Sequence, residues 1–175
     1  MAGDEDAGGH SGRTSGASAV QDEIAQKRPF HSLAAEVAVG ILRTAALIER
    51  HFGQIVARRD VTVQQYNVLR ILRGAGKEGL PTLVIRDRMI HEAPGITRLI
   101  DKLEEAGLAR RERTSSDRRQ VICYITPKGL EVLNSLDADM KAADEKAVGH
   151  LPVAEQRELI RLLDLVRGAN RPSNP

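Results

Sequence analysis

The sequence predicts a mostly α-helical protein with one short β-hairpin, and three observations carry that prediction. Aliphatic residues recur every three or four positions in six separate segments, the period of an amphipathic helix. Aromatic residues are scarce, two Phe, two Tyr and no Trp in 175 residues, so the core is aliphatic and base-stacking platforms are not expected. Only Leu108 to Arg113 and Val121 to Ile125 read as extended runs, separated by a polar loop.

Residues 1–29 open the chain with Gly, Ser and acidic side chains and almost no large apolar ones. Such a segment cannot offset the entropy of ordering, so a disordered tail is expected. From Phe30 the pattern changes. Leu33, Val37, Ile41, Ala45, Ile48, Phe52 and Val56 form one stripe, widened by Ala34, Ala38, Leu42 and Ala46, over a single long helix within residues 30–60. So broad an apolar surface needs more cover than one small domain supplies, which points to a second subunit.

The second helix starts at Thr62, whose T-x-x-Q spacing to Gln65 is that of a capping box, with Val61 and Tyr66 placed as a hydrophobic staple. Gly74 and Gly76 end it. Leu80-Pro81-Thr82 opens a short third helix carrying Leu83, Val84 and Met89, and a turn follows at His91 to Ala93. A fourth helix begins near Pro94, with Ile96, Leu99, Ile100 and Leu103 on one inward face. Its other face carries Gly95, Thr97, Arg98, Asp101 and Lys102, small and polar groups that solvent, or a groove, would meet. Gly107 is expected as the left-handed cap that ends it.

The second extended run alternates, with Cys123 in the inward set, so its thiol reads as a small core group rather than a redox sensor. Thr126-Pro127 starts a fifth helix with Leu130, Leu133, Leu136 and Met140, and Pro152 introduces a sixth with Leu159, Ile160, Leu162, Leu163 and Val166.

Helix, turn, helix and then a hairpin with a polar tip is the order of a winged helix-turn-helix, whose second helix enters the major groove. Charge agrees with it. The whole chain is nearly balanced at +2, but residues 62–127 hold twelve basic against eight acidic side chains, and residues 109–120 hold five against two. Positive charge is therefore gathered where phosphates would be met.

Pro94-Gly95-Ile96-Thr97-Arg98-Leu99-Ile100-Asp101-Lys102-Leu103-Glu104, Gly107-Leu108-Ala109-Arg110-Arg111, Asp117-Arg118-Arg119 and Ile125-Thr126-Pro127-Lys128-Gly129 resemble the recognition helix, wing and wing exit of the multiple antibiotic resistance regulator (MarR) family. The likeness runs from about Ser32 to Arg167. It implies a mostly α fold in which the N- and C-terminal helices (residues 30–60 and 127–170) form a dimerisation domain and residues 61–126 a DNA-binding lobe. It also implies that Asp117 orients the guanidinium of Arg119, that Arg119 enters the minor groove, and that Arg118 belongs to the same loop. Narrow minor grooves concentrate negative potential, which suits arginine. Thr97 and Arg98, with the backbone at Pro94 and Gly95, are expected in the major groove beside Lys102. Arg110, Arg111 and Arg113 are expected at phosphates or paired with Glu112.

The resemblance implies a homodimer on a pseudo-palindromic double-stranded operator, with two recognition helices about 34–36 Å apart. It implies a transcriptional repressor released by a small anionic or phenolic effector, with Phe30, His31, Arg43 and His51 as candidate pocket residues. No cofactor or metal is expected. A single cysteine makes neither a disulfide framework nor a multi-cysteine zinc site and suits a reducing cytoplasm. His91-Glu92 lacks the second histidine of the zinc-protease pattern, and no phosphate loop or nucleophile elbow occurs, so an enzyme is not expected. No apolar stretch long enough to span a membrane is read. The alternative is a winged protein–protein interaction module with incidental DNA contact.

Overall fold

The computed structural model describes residues 19–113 and 121–170 and divides between Leu47 and Ile48 into two compact units. In the first unit a one-turn helix, α1 (Ala19–Glu23), occupies part of the expected tail. Glu23 pairs there with Arg43 at 3.2 Å. Helix α2 (Leu33–Val56) begins in this unit and ends in the next. Ser32 starts it, its Oγ accepting the Ala35 N–H at 3.1 Å. Leu33 is 75% exposed and Leu42 70%, so the N-terminal part of the stripe faces solvent within one chain, whereas Val56 at its far end is buried.

The second unit is built on helix α3 (Val63–Ala75). The capping box forms as its spacing requires: the Thr62 N–H donates to Gln65 Oε1 at 2.8 Å, and the Gln65 N–H donates to Thr62 Oγ1 at 3.2 Å. Both residues of the proposed staple, Val61 and Tyr66, are buried. Strand β1 (Leu80–Pro81) leads directly into helix α4 (Thr82–Asp87), where Ile85 rather than Leu83 faces inward.

Helix α5 (Ile96–Glu105) starts two residues after the expected Pro94, because Pro94 and Gly95 form the turn into it. Gly107 takes φ +70°, with its N–H donating to the Glu104 carbonyl at 2.9 Å and the Leu108 N–H to the Leu103 carbonyl at 2.8 Å. These two bonds are the Schellman pair, and Leu103 and Leu108 are both buried beside them.

Strands β2 (Ala109–Arg113) and β3 (Val121–Ile125) pair antiparallel, with Arg111 opposite Cys123. The sequence predicts two strands, but the sheet has three, in the order β1-β3-β2, because Leu80 and Pro81 pair with Cys123 and Ile122. Helix α6 (Pro127–Val148) follows at once, with Thr126 as its cap and proline in its first turn. Gly129 lets it pass this close to the wing, since a Cβ there would lie 2.2 Å from the Leu108 carbonyl oxygen.

Leu69 and Leu72 of α3, Ile85 of α4, Ile100 and Leu103 of α5, Cys123 of β3 and Leu133 and Leu136 of α6 form one hydrophobic core. Arg73 grips Asp137 with both terminal guanidinium nitrogens, and Arg58 meets Asp139 at 3.0 Å, so α6 is tied to its neighbours at the surface as well. Helix α7 (Val153–Ala169) buries no residue, and Ile160 and Leu165 are 58% and 61% exposed.

Candidate nucleic-acid interface

Helix α5 divides cleanly into two faces. Ile96, Ile100 and Leu103 are buried, while Thr97, Arg98 and Lys102 are exposed, as the 3.6-residue period demands. Its entry is fixed by the Ile96 N–H, which donates to the Ala93 carbonyl at 3.1 Å. An open groove lies along this end of the helix, lined by Pro94, Gly95, Arg98 and Lys102 together with Gln64 and Glu92. Gln64 was not among the residues expected here. Its signal is positional, for it is an exposed amide in the first turn of α3, able both to donate and to accept hydrogen bonds at a base edge or phosphate.

The C-terminal end of α5 is closed by polar contacts from α6. Lys128 Nζ donates to the Ala106 carbonyl at 2.8 Å, a cation at the negative end of the helix dipole. Thr126 Oγ1 donates to the Gly107 carbonyl at 2.7 Å and accepts the Gly129 N–H at 3.1 Å.

The three arginines of β2 have different surroundings. Arg110 lies over the Tyr124 ring, 4.3 Å from its centroid, and pairs with Glu112. Arg113 is exposed at the end of the strand. Arg111 is expected at a phosphate or paired with Glu112, but its partners are carboxylates of α5. Its backbone N–H donates to Glu104 Oε1 at 3.0 Å, its Nε to Glu104 Oε2 at 2.9 Å, and its Nη2 lies 2.7 Å from Asp101 Oδ1. The strand pleat explains the difference, because Arg111 and Glu112 point to opposite faces of the sheet. The Arg111 hydrogen bonds hold the Glu104 carboxyl below the usual carboxylate range. Asp117, Arg118 and Arg119 lie outside the described residues.

Phe30, His31 and Arg43 belong to the first unit and His51 to the second. His91 Nε2 meets Glu49 Oε1 at 2.8 Å, joining the turn before α5 to the C-terminal part of α2. Cys123 is buried, its Sγ 3.6 Å from Thr82 Oγ1, and burial pushes its thiol pKa up. Among the described residues, no cluster of three His, Cys, Asp or Glu side chains could hold a metal ion, and no helix is long and apolar enough to cross a membrane.

Residues 59–120 match a family model described as the MarR family. The chain is 27% identical over 119 residues to the HTH-type transcriptional regulator MhqR of Bacillus subtilis (strain 168), covering 68% of this chain and 81% of that protein. A MarR transcription factor from Planctomyces limnophilus superposes with a TM-score of 0.60 at 40% identity, covering 78% of this chain and 98% of that one. Sco3205 of Streptomyces coelicolor, a MarR family transcriptional regulator solved in complex with DNA, superposes with a TM-score of 0.72 at 23% identity, covering 85% and 94%.

Proposed function

This chain belongs to the MarR family of transcriptional regulators, and on that premise we propose that it is a sequence-specific, double-stranded DNA-binding repressor working as a homodimer. One observation carries the reading: Thr97, Arg98 and Lys102 stand exposed on a helix whose other face, at Ile96, Ile100 and Leu103, is locked in the core. A rigid rod with two cations and a hydroxyl on its free side suits a major groove, where arginine and lysine read guanine and threonine either base or methyl group.

In this reading Arg98 and Thr97 touch base edges, with Gln64 beside them, and Lys102 and Arg113 meet phosphates. Asp117, Arg118 and Arg119 keep the wing role that the family resemblance implies. The apolar faces of α2 and α7 support the second copy, since both leave large aliphatic side chains in water in a single chain. Occupying an operator with such a dimer excludes other proteins from the same duplex. An effector, of the small anionic or phenolic class, releases the dimer only if it binds the DNA-free arrangement more tightly than the DNA-bound one.

The test is selection of double-stranded fragments from a random pool, followed by a salt titration of the best one. A two-fold symmetric consensus should emerge. Its affinity should fall steeply with salt, with a slope of about −0.9 per phosphate neutralised. Binding of every duplex with equal affinity would rule the reading out.

A further inference from the structure

We propose that Arg111 is a positioning residue: through Glu104 and Asp101 it fixes the wing against the recognition helix rather than contacting DNA. The inference rests on the DNA-binding reading and assigns a role within it that the basic composition of the wing conceals.

Glu104 stands in the last turn of α5, and both of its oxygens are engaged by one residue of β2. Oε1 takes the Arg111 backbone N–H, and Oε2 takes Nε at 2.9 Å and Nη2 at 2.6 Å. Asp101, one turn earlier, takes Nη2 at 2.7 Å. Three guanidinium and amide donors thus converge on two carboxylates spaced i,i+3 along one face of the helix. The Arg111 side chain is 29% exposed, less than either carboxylate, so it sits beneath them rather than outside.

The chain leaves α5 through the Gly107 cap and enters β2 two residues later. That cap is one fixed point, and the Arg111 clamp four residues on is a second, so β2 cannot pivot about Gly107. Together with the pairing of β2 to β3, this pair of points sets the direction of the wing relative to α5. Without Arg111, two carboxylates on the DNA-facing element would also be left uncompensated near a polyanion.

The charge arithmetic makes the idea testable, because a positioning role and a phosphate contact predict opposite signs. Glu104→Gln removes a negative charge beside the DNA. If Arg111 serves phosphates, that variant frees it and binding tightens. If Arg111 positions the wing, Glu104→Gln weakens specific binding by about tenfold.

Arg111→Ala should weaken binding similarly while leaving the slope of log K against log salt unchanged, whereas Arg113→Ala should lower that slope by about 0.9. The double variant Glu104→Gln/Arg111→Ala should bind no more weakly than Arg111→Ala alone, as expected of two ends of one contact. Hydrogen exchange at the Arg111 amide in the free protein gives a DNA-independent measure: Glu104→Gln should speed it while amides of the α3 core keep their protection. Tighter DNA binding by Glu104→Gln, a flattened slope for Arg111→Ala, or unaltered exchange overturns the proposal. Failure of the wild-type protein to prefer any duplex overturns the reading beneath it instead, and the exchange experiment still judges the clamp.

Discussion

Thr126 Oγ1 and the Gly107 carbonyl meet at 2.7 Å, joining the residue that caps α6 to the turn that ends α5. The same oxygen accepts the Gly129 N–H, so one hydroxyl caps α6 and holds the exit of α5. Thr126→Ala removes both bonds. It should lower stability by about 1–2 kcal/mol, read as a lower urea midpoint at an unchanged m-value, with Thr126→Ser restoring most of the loss.

Arg98 makes no side-chain hydrogen bond or ion pair among the described residues, and its side chain stands on the exposed face of α5. Arg98→Ala should therefore leave the thermal midpoint where it is and cost about 1–3 kcal/mol in binding the selected duplex. If Arg98 reads a base, the penalty should fall mainly at one position of each half-site. A uniform loss across sequences would reassign it to phosphate.

Helix α7 offers the sharpest test of pairing. Ile160 and Leu165 are exposed in one chain, so placing a carboxylate at both should not harm the core of the second unit. Ile160→Asp/Leu165→Asp should shift the protein towards monomer in sedimentation, weakening the dimer by about 3 kcal/mol or more, while hydrogen exchange in α3 is preserved. An unchanged sedimentation coefficient would count against pairing through α7.

Burial raises the pKa of the Cys123 thiol, so little thiolate is present at neutral pH and reagents have no path to it. Native protein should react with a thiol-specific disulfide reagent orders of magnitude more slowly than protein in denaturant. Rapid reaction in the native state would contradict the core role and reopen a sensing one.

The Glu104 carboxyl is held below its ordinary value of 4.5, chiefly by hydrogen bonds from Arg111. Its pKa is lower folded than unfolded, so its contribution to stability is complete above about that pH and disappears as the pH falls through the folded value. The stability difference between wild type and Glu104→Gln should accordingly shrink on acidification below pH 4.5. The pair is partly exposed, which keeps the effect small, and added salt should reduce it.

Local signals made much of this architecture legible. The Thr62 capping box, the Gly107 cap, the proline after Thr126 and the i, i+3, i+4, i+7 face of α5 each depend on residues a few positions apart. What stayed hidden depends on partners distant in the chain. Strand β1 has two residues and no period to read, and it exists only because β3, some forty residues later, pairs with it. Arg111 looks like its basic neighbours in composition, and only the pleat, which turns it towards α5, separates it from them. Gln64 belongs to a different helix from the rest of the groove, and no spacing within α5 could have announced it. Pro81 marks the start of short α4, yet its inward residue, Ile85, is fixed by tertiary packing.

Strand β1 also bears on how such molecules coexist at high local concentration. It forms one rim of the sheet, where an unpaired backbone invites a strand from another molecule. Pro81 has no N–H to offer, and only two residues are available, so a foreign strand gains little purchase there. The opposite rim presents Arg110, Glu112 and Arg113, charged side chains that would lose water if another strand paired there. Both rims thereby resist edge-to-edge polymerisation, and copies crowded onto neighbouring sites along a duplex would stay separate particles instead of nucleating a fibre.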